Sequence, residues 1–339
     1  MGTRTILFLA FLLGGMASAG QAFPNDPYYG NQWYGPLLGL PAAWDITQGR
    51  SDVTIAILDT GVMANTPDLA GRLLPPLSAT GSPALDGTTN HHGTWVASVV
   101  GMGINNGLGG AGVGDFTLLP VTVTNSAGGN MSEWVAEGIR LAADAGARVI
   151  NVSQRTLSYS LLNEAAGYAR SKGALVFVAA GNTDRRWGLT GCDNLVFVAG
   201  TDDQDARWDG GAEGSTWGPF VDLAAPAWHV VVADPTLGSG YGIGDGTSFA
   251  TPLAAGAAGL VWSVAPSLTP EEVLAILYDT AVDLGDTGRD DVFGHGRLDI
   301  GAAVSLARDI SGLPEPATLG LLAAGLVLWG AGRRATRPR

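Results

Sequence analysis

The sequence predicts a single α/β domain in which a mostly parallel sheet carries helices on both faces. Three short runs of mainly aliphatic residues, 148–153, 174–180 and 195–200, are typical of strands that are buried on both sides. Helical spacing separates the first two runs and also precedes the first, which is the order that parallel strands require. With 46% hydrophobic residues among 339, the chain can bury a large core.

Local signals place the elements in chain order. The expected strands are 52–59, 148–153, 174–180 and 195–200. The expected helices are one beginning near His91, one over 133–145, one over 161–172, one from Ser248 to about Val264, and one beginning at Pro270. Ser132 is placed to cap the second helix, and Gly146 and Gly173 end the second and third. Thr269 supplies a cap before the proline that starts the last.

The first 22 residues are typical of a secretory signal peptide. Arg4 precedes an apolar run over 6–14, and Ala17-Ser18-Ala19 offers the small-residue pattern of a cleavage site. We therefore expect an exported protein, cut by signal peptidase, whose globular part covers residues 23–312. Because Pro24 follows almost directly, the sequence leaves no room for an inhibitory pro-segment between leader and domain.

Residues 313–339 combine a Pro-Glu-Pro motif, an uncharged apolar stretch over 317–332 and an arginine-rich end. This ending resembles the PEP-CTERM sorting tail of Gram-negative bacteria. The resemblance implies recognition by an exosortase, transient association with the inner membrane through a short helix, and delivery to the cell surface or extracellular matrix. An ordinary C-terminal membrane anchor is the alternative, since the stretch is at the short limit for a spanning helix.

The charge balance excludes one class of partner. The chain has 18 basic and 31 acidic residues, a formal net charge of −13. An acidic surface repels phosphate, so nucleic acid is not an expected partner. The single cysteine, Cys192, excludes an internal disulfide and any cysteine-rich metal site.

Polar residues stand at the points where chemistry is expected in such a sheet, beside the carboxyl ends of strands. Asp59 and Asn182 follow apolar strands, while His92 and Ser248 open helical segments. Each is unremarkable alone, since Asp-Thr-Gly is often a turn and Gly-Thr-Ser an ordinary helix cap. Together they give an acid, a base, an amide donor and a nucleophile in one chain.

The segments around these residues resemble the subtilisin-like serine proteases over about residues 24–305. The matching motifs are Ala56-Ile57-Leu58-Asp59-Thr60-Gly61, His92-Gly93-Thr94, Val178-Ala179-Ala180-Gly181-Asn182 and Gly246-Thr247-Ser248-Phe249-Ala250-Thr251-Pro252. The stretches 25–29 and 43–49 are similar to the thermitase-like branch. The resemblance implies a three-layer fold and a serine endopeptidase that acts on proteins or peptides.

The resemblance also implies a role for each group. Ser248 would attack the peptide carbonyl, His92 would take the hydroxyl proton, and Asp59 would orient the imidazole. Asn182 would donate a hydrogen bond to the oxyanion. His91 is adjacent to the base, but the Gly-Thr that follows selects His92.

Two other interpretations compete with this one. A second Asp-Thr-Gly over 286–288 raises a pepsin-like aspartic protease, in which two carboxylates share one proton. Crowding by nearby aspartates and the alanine-rich helices oppose it. The other is a catalytically silent surface protein of the same fold that binds peptides or matrix in the groove.

Two features concern ligands and substrates. Family sites suggest Asp26, Asp68 and Asn106 as oxygen ligands of a structural calcium ion, which would help a protease without a pro-segment to fold. At the strand edge that receives substrate, the family usually reads Ser-Leu-Gly-Gly, whereas this chain has Ser153-Gln154-Arg155-Thr156. We expect these larger side chains to narrow the specificity.

Overall fold

The computed structural model describes residues 24–87, 90–154 and 158–312. The expected leader and sorting tail lie outside the described residues, as do Arg155 and Thr156. No helix within these three ranges is long and apolar enough to cross a membrane.

Seven parallel strands form the central sheet, in the order β2-β3-β1-β4-β5-β6-β7. The strands are β1 (Thr54–Asp59), β2 (Leu77–Ser78), β3 (Thr117–Thr122), β4 (Val149–Val152), β5 (Leu175–Ala179), β6 (Leu195–Thr201) and β7 (Leu223–Pro226). Strands β8 (Val230–Ala233) and β9 (Tyr241–Gly244) form a separate antiparallel hairpin. The predicted fold class is confirmed.

Helices cover both faces of this sheet. They are α1 (Tyr34–Leu37), α2 (Leu40–Trp44), α3 (His92–Gly101), α4 (Ser132–Asp144), α5 (Tyr159–Ser171), α6 (Thr247–Val264), α7 (Pro270–Asp279) and α8 (Ile300–Ser311). One core cluster joins the sheet to α3, α6 and α8, and a second joins its other face to α4 and α5. The result is a three-layer sandwich.

Small residues let α6 pass close to its neighbours at the centre of the first core. A Cβ atom on Gly256 would lie 2.6 Å from Val113, and one on Gly259 would lie 2.9 Å from the ring of Phe116. Since contacts below 3.0 Å force a shift, a larger residue at either position would have to displace α6 or the side chain beside it. The alanine and glycine content that predicted this helix is therefore what allows it to be buried along its length.

Strand β3 is the main element that the sequence did not predict, because it contains Pro120. The backbone N–H of Leu118 donates to Arg72 on the side away from β1. Backbone N–H groups point to opposite sides of a strand from one residue to the next, so the nitrogen of Pro120 points to the same side as that of Leu118. Strand β2 pairs there only with Val121 and Thr122, and the missing N–H of proline therefore costs no β2 ladder bond.

Two of the predicted helix caps, at Thr269 and Ser132, differ in outcome. Thr269 caps α7 as expected. The structure adds a capping box, in which the Thr269 hydroxyl accepts from the N–H of Glu272 and the Glu272 carboxylate accepts from the N–H of Thr269. The cap at Ser132 is wrong by one residue. Helix α4 begins at Ser132 itself, after Met131, and the Ser132 hydroxyl accepts from the N–H of Ser158.

Candidate active site

The four residues that the sequence singled out lie at the carboxyl edge of the sheet. Asp59 is the last residue of β1, and Asn182 follows β5. His92 is the first residue of α3, and Ser248 is the second of α6. Strand ends and helix starts thus bring an acid, a base, an amide and a hydroxyl to one edge, as expected for an open parallel sheet.

Asp59 and His92 form a close hydrogen-bonded pair. The Nδ1–H of His92 donates to both carboxylate oxygens of Asp59, at 2.9 and 3.0 Å, and Asp59 is fully buried. Because an ionised carboxylate only accepts, the proton lies on Nδ1 and leaves Nε2 as the free base. Burial lowers the pKa of His92, but the charge and hydrogen bonds of Asp59 outweigh it and raise that pKa above its ordinary value.

Two aromatic side chains flank the imidazole. The rings of Trp95 and Phe249 lie 6.4 and 6.0 Å from that of His92, both tilted. Sequence analysis assigned neither a role at the site. Trp95 directly follows the motif around His92, and Phe249 lies within the motif around Ser248, so these positions were the available sequence signal. The structure therefore places an apolar surface on the sides of the imidazole that these rings occupy.

The Ser248 hydroxyl is tied to the strand edge that follows β4. It donates to the carbonyl oxygen of Ser153 at 3.3 Å, and the Ser153 hydroxyl donates to the carbonyl oxygen of Ser248 at 2.8 Å. Among the described residues no hydrogen bond joins this hydroxyl to His92. Such contacts are commonly loose before substrate binds.

Pro252 explains why the Ser248 carbonyl is open to Ser153. In a helix this carbonyl would accept from the N–H four residues later, and proline has none. The Ser153 hydroxyl takes that place. A helix interior proline thereby links the start of α6 to the edge of β4.

Asn182 lies beside Ser248, and Thr247 holds its side-chain amide by the oxygen. Its carbonyl oxygen accepts from the N–H of Thr247 at 3.0 Å and from the Thr247 hydroxyl at 2.8 Å. With the oxygen held, the amide nitrogen is the end that has no hydrogen-bond acceptor among the described residues. Gly246 permits this approach, because it has a φ of 124° and a Cβ there would lie 2.8 Å from Asn182 Nδ2.

A cleft of about 220 Å³ opens beside Ser248 and Asn182. Trp187 and Tyr159 line it together with the exposed carboxylate of Glu213, and no lysine or arginine contributes to its described lining. Gln154 lines the same cleft and also reaches Asp59. The space is suited to an extended side chain next to the nucleophile.

The second Asp-Thr-Gly lies far from the first, which excludes a carboxylate pair. Asp286 lies in the loop that precedes His295, and the backbone N–H of His295 donates a hydrogen bond to the carbonyl oxygen of Asp222, at the amino end of β7. Asp59 is at the carboxyl end of β1. All strands of the sheet run parallel, so the two motifs occupy opposite edges.

The three residues suggested as calcium ligands are brought together. Asp26 accepts from the backbone N–H of Asn105 and Asn106, at 2.9 Å each. Asp68 accepts from the side-chain amide of Asn106 at 2.7 Å and from the hydroxyl of Tyr241 at 3.2 Å. Tyr241 comes from the β8–β9 hairpin and was not predicted here.

This cluster has uncompensated negative charge. Asp26 and Asp68 are 4% and 1% exposed, and no arginine or lysine of the described ranges forms an ion pair with either. Burial, with a smaller contribution from the charge of Asp26, raises the pKa of Asp68. Two buried carboxylates beside an amide fit a hard divalent cation. No group of three or more His, Cys, Asp or Glu side chains suited to a metal occurs within the described residues.

The comparisons with known proteins agree with this geometry. The profile of the subtilase family matches residues 50–296. The chain is similar to thermitase of Thermoactinomyces vulgaris, with 38% identity over 78% of this chain and 94% of that protein. It is also 33% identical to the halolysin-like extracellular serine protease Nep of Natrialba magadii, over 84% of this chain but 53% of that protein. A solved protease of Pseudoalteromonas arctica superposes with a TM-score of 0.73 at 30% identity, covering 84% of this chain and all of the other.

Proposed function

This chain belongs to the subtilase family, and we propose that Asp59, His92 and Ser248 form its catalytic triad. It is a subtilisin-like serine endopeptidase. The bond between Asp59 and His92, at 2.9 Å, is the observation that carries the assignment of roles. Protein or peptide substrates would be cleaved through an acyl-enzyme.

In the proposed reaction, Ser248 leaves the Ser153 carbonyl and turns to Nε2 of His92. His92 takes the hydroxyl proton while the oxygen attacks the peptide carbonyl carbon, and it returns that proton to the leaving amine. Water then attacks the ester by the same route. Asp59 keeps the proton on Nδ1 and stabilises the imidazolium, so Nε2 is always the nitrogen that faces the serine.

Two donors would stabilise the oxyanion. One is the Asn182 amide, which Thr247 orients from the other end. The other is the backbone N–H of Ser248, which lies in the first turn of α6 and has no acceptor within the helix. Donors fixed before the reaction stabilise developing charge more effectively than water, which must reorient.

Hydrolysis of casein by the unchanged chain and by Ser248→Ala tests this function. We expect clearing only with the unchanged chain, and covalent labelling of Ser248 by diisopropyl fluorophosphate. Equal clearing by the two proteins would disprove the triad. Absence of clearing and of labelling in both would favour the silent, peptide-binding alternative.

We also propose that the protein is exported, as the signal-like residues 1–22 indicate. The description of a 33% identical relative as extracellular supports this. The tail over 313–339 would then be read by an exosortase, after transient anchoring in the inner membrane, and the domain would reach the surface or matrix of a Gram-negative cell. Cell fractionation of the full chain and of one lacking 313–339 tests the role of the tail. Identical distribution would contradict it.

Finally, we propose that Asp26, Asp68 and Asn106 hold a structural calcium ion. Its charge would compensate the two buried carboxylates, and further oxygen ligands would come from the surrounding loop. In the inactive Ser248→Ala protein, EGTA should lower the melting temperature by several degrees, and excess calcium should restore it. Asp68→Asn should reduce this response. A melting temperature that EGTA leaves unchanged would defeat the idea.

A further inference from the structure

Gln154 connects the substrate cleft with the pair formed by Asp59 and His92. Its side-chain amide nitrogen lies 2.8 Å from Asp59 Oδ1 and 3.3 Å from His92 Nδ1. Since Nδ1 carries a proton for Asp59, the amide cannot donate to it. The short contact instead reflects two donors that converge on one carboxylate oxygen.

Asp59 Oδ1 is therefore unusually well supplied with donors. It accepts from the N–H of Thr60 at 2.8 Å, from His92 at 2.9 Å and from Gln154 at 2.8 Å, whereas the one donor to Oδ2 among the described residues is His92, at 3.0 Å. Two of these donors come from the backbone and from the base itself. The third comes from a side chain on a separate segment, next to Ser153, which bonds the nucleophile.

We propose that Gln154 is a positioning residue that fixes the Asp59 carboxylate and sets how strongly it acts on His92. This inference rests on the proposed triad. A donor on the carboxylate draws charge away from the imidazole, so Gln154 limits the stabilisation that Asp59 gives to the imidazolium. It also prevents the carboxylate from rotating away from the two-point contact with His92.

The surroundings of His92 make this effect measurable. Among the described groups, Asp59 is the charged residue that acts on the imidazole, and Trp95 and Phe249 contribute uncharged rings from α3 and α6. His91 precedes the base on its own element. A change in how Asp59 interacts with its donors should thus be transmitted to His92 without competition from another ion pair.

Gln154→Met and Gln154→Glu test the proposal, with Gln204→Met and Gln204→Glu as matched controls. Gln204 is an exposed turn residue outside the site. The readout is the rate of inactivation by diisopropyl fluorophosphate, measured as a function of pH. This inactivation requires neutral His92, and the small reagent does not fill the peptide subsites that Gln154 also lines. Peptide kcat and KM are measured in parallel.

Gln154→Met should move the acid limb of the inactivation profile to higher pH by about 0.3–1 unit and lower kcat about three- to tenfold, with KM changed less. Gln154→Glu should move that limb by about one unit or more, because it adds a charge beside Asp59. Both controls should follow the unchanged protein. An acid limb of Gln154→Met that coincides with that of the unchanged protein would overturn the proposal. Failure of the triad itself would appear differently, as no Ser248-dependent inactivation in the unchanged chain.

Discussion

Asp222→Asn should make the protein more stable at neutral and alkaline pH. Asp222 lies at the amino end of β7, opposite the active site, and lines a cavity of about 400 Å³. Its carboxylate accepts from the N–H of Phe197 at 2.8 Å, and its partner Arg289 is 3.8 Å away. Burial raises the pKa of Asp222 to about 6, because the distant arginine does not offset the loss of solvent.

The size of the effect follows from this pKa. In the unfolded chain the carboxyl titrates at about pH 3.9, and in the folded protein its pKa is about 6, so between about pH 4 and 6 the unfolded state loses its proton before the folded state does. The free energy of unfolding therefore falls as pH rises through this window, and above it the penalty approaches ~3 kcal/mol, since each unit corresponds to about 1.4 kcal/mol. Asparagine does not ionise and keeps an oxygen for Phe197. Allowing for the lost attraction to Arg289, we expect a gain of about 1–3 kcal/mol at pH 8 and almost none at pH 4.

Urea unfolding at pH 4, 6 and 8 measures this gain, with both proteins carrying Ser248→Ala to prevent autolysis. Asp203→Asn is the control, because Asp203 is exposed, does not line this cavity and is not among the charges that act on Asp222. A gain of equal size at pH 4 and pH 8 would refute the reasoning, since it would have to arise from something other than ionisation. A loss of stability at pH 8 would show that the bond to Arg289 outweighs burial.

Three further predictions concern the active site. Asn182→Ala should lower kcat about 10²–10³-fold with little change in KM, the effect that removal of one oxyanion donor has in subtilisins, and steady-state kinetics on a peptide amide would reveal a failed assignment as unchanged turnover. The raised pKa of His92 means that the neutral base is lost as pH falls, so kcat/KM should decline below an apparent pKa greater than 6.5, and a profile that stays flat well below pH 6 would contradict this. Glu213→Gln should lower kcat/KM about threefold or more for substrates with lysine or arginine next to the scissile bond, because it removes the carboxylate of the cleft. The control Glu137→Gln changes an exposed carboxylate outside the cleft and should have no such effect. If the ratio of kcat/KM for basic substrates to kcat/KM for neutral substrates is the same in both variants and the unchanged protein, Glu213 does not have this role.

The positions that follow most directly from the sequence are those at the end of a strand or the start of a helix. Asp59 ends a strand, and His92 and Ser248 open helices, so chain direction alone carries them to one edge of the sheet. The same local signals predicted β1, β4, β5, β6 and the long α6. For each of these elements, both the pattern that predicts it and its place in the fold depend on residues that are close together in the chain.

Contacts between distant segments could not be predicted in this way. Gln154 reaches Asp59 across 95 residues, and Tyr241 reaches Asp68 across 173. Neither residue belongs to a local pattern. The sequence around such a polar side chain does not indicate which distant residue it will contact. Strand β3 was missed for a related reason. Pro120 is tolerated because β2 pairs only with Val121 and Thr122, so no hydrogen bond to β2 needs the N–H that proline lacks.

Helix α6 explains why the core and the nucleophile cannot vary independently. Gly256 and Gly259 hold it against Val113 and Phe116, which sets the depth of its axis. Four residues after Ser248, Pro252 lacks the N–H that would bond the Ser248 carbonyl, and the Ser153 hydroxyl bonds it instead. That bond joins the first turn of α6 to the segment that also carries Gln154. A larger residue at Gly256 would meet Val113 Cβ at 2.6 Å, and any displacement of α6 that relieves this contact would move Ser248 relative to Ser153 and Asn182. Positions deep in the core therefore affect catalysis through geometry, even though they touch no substrate.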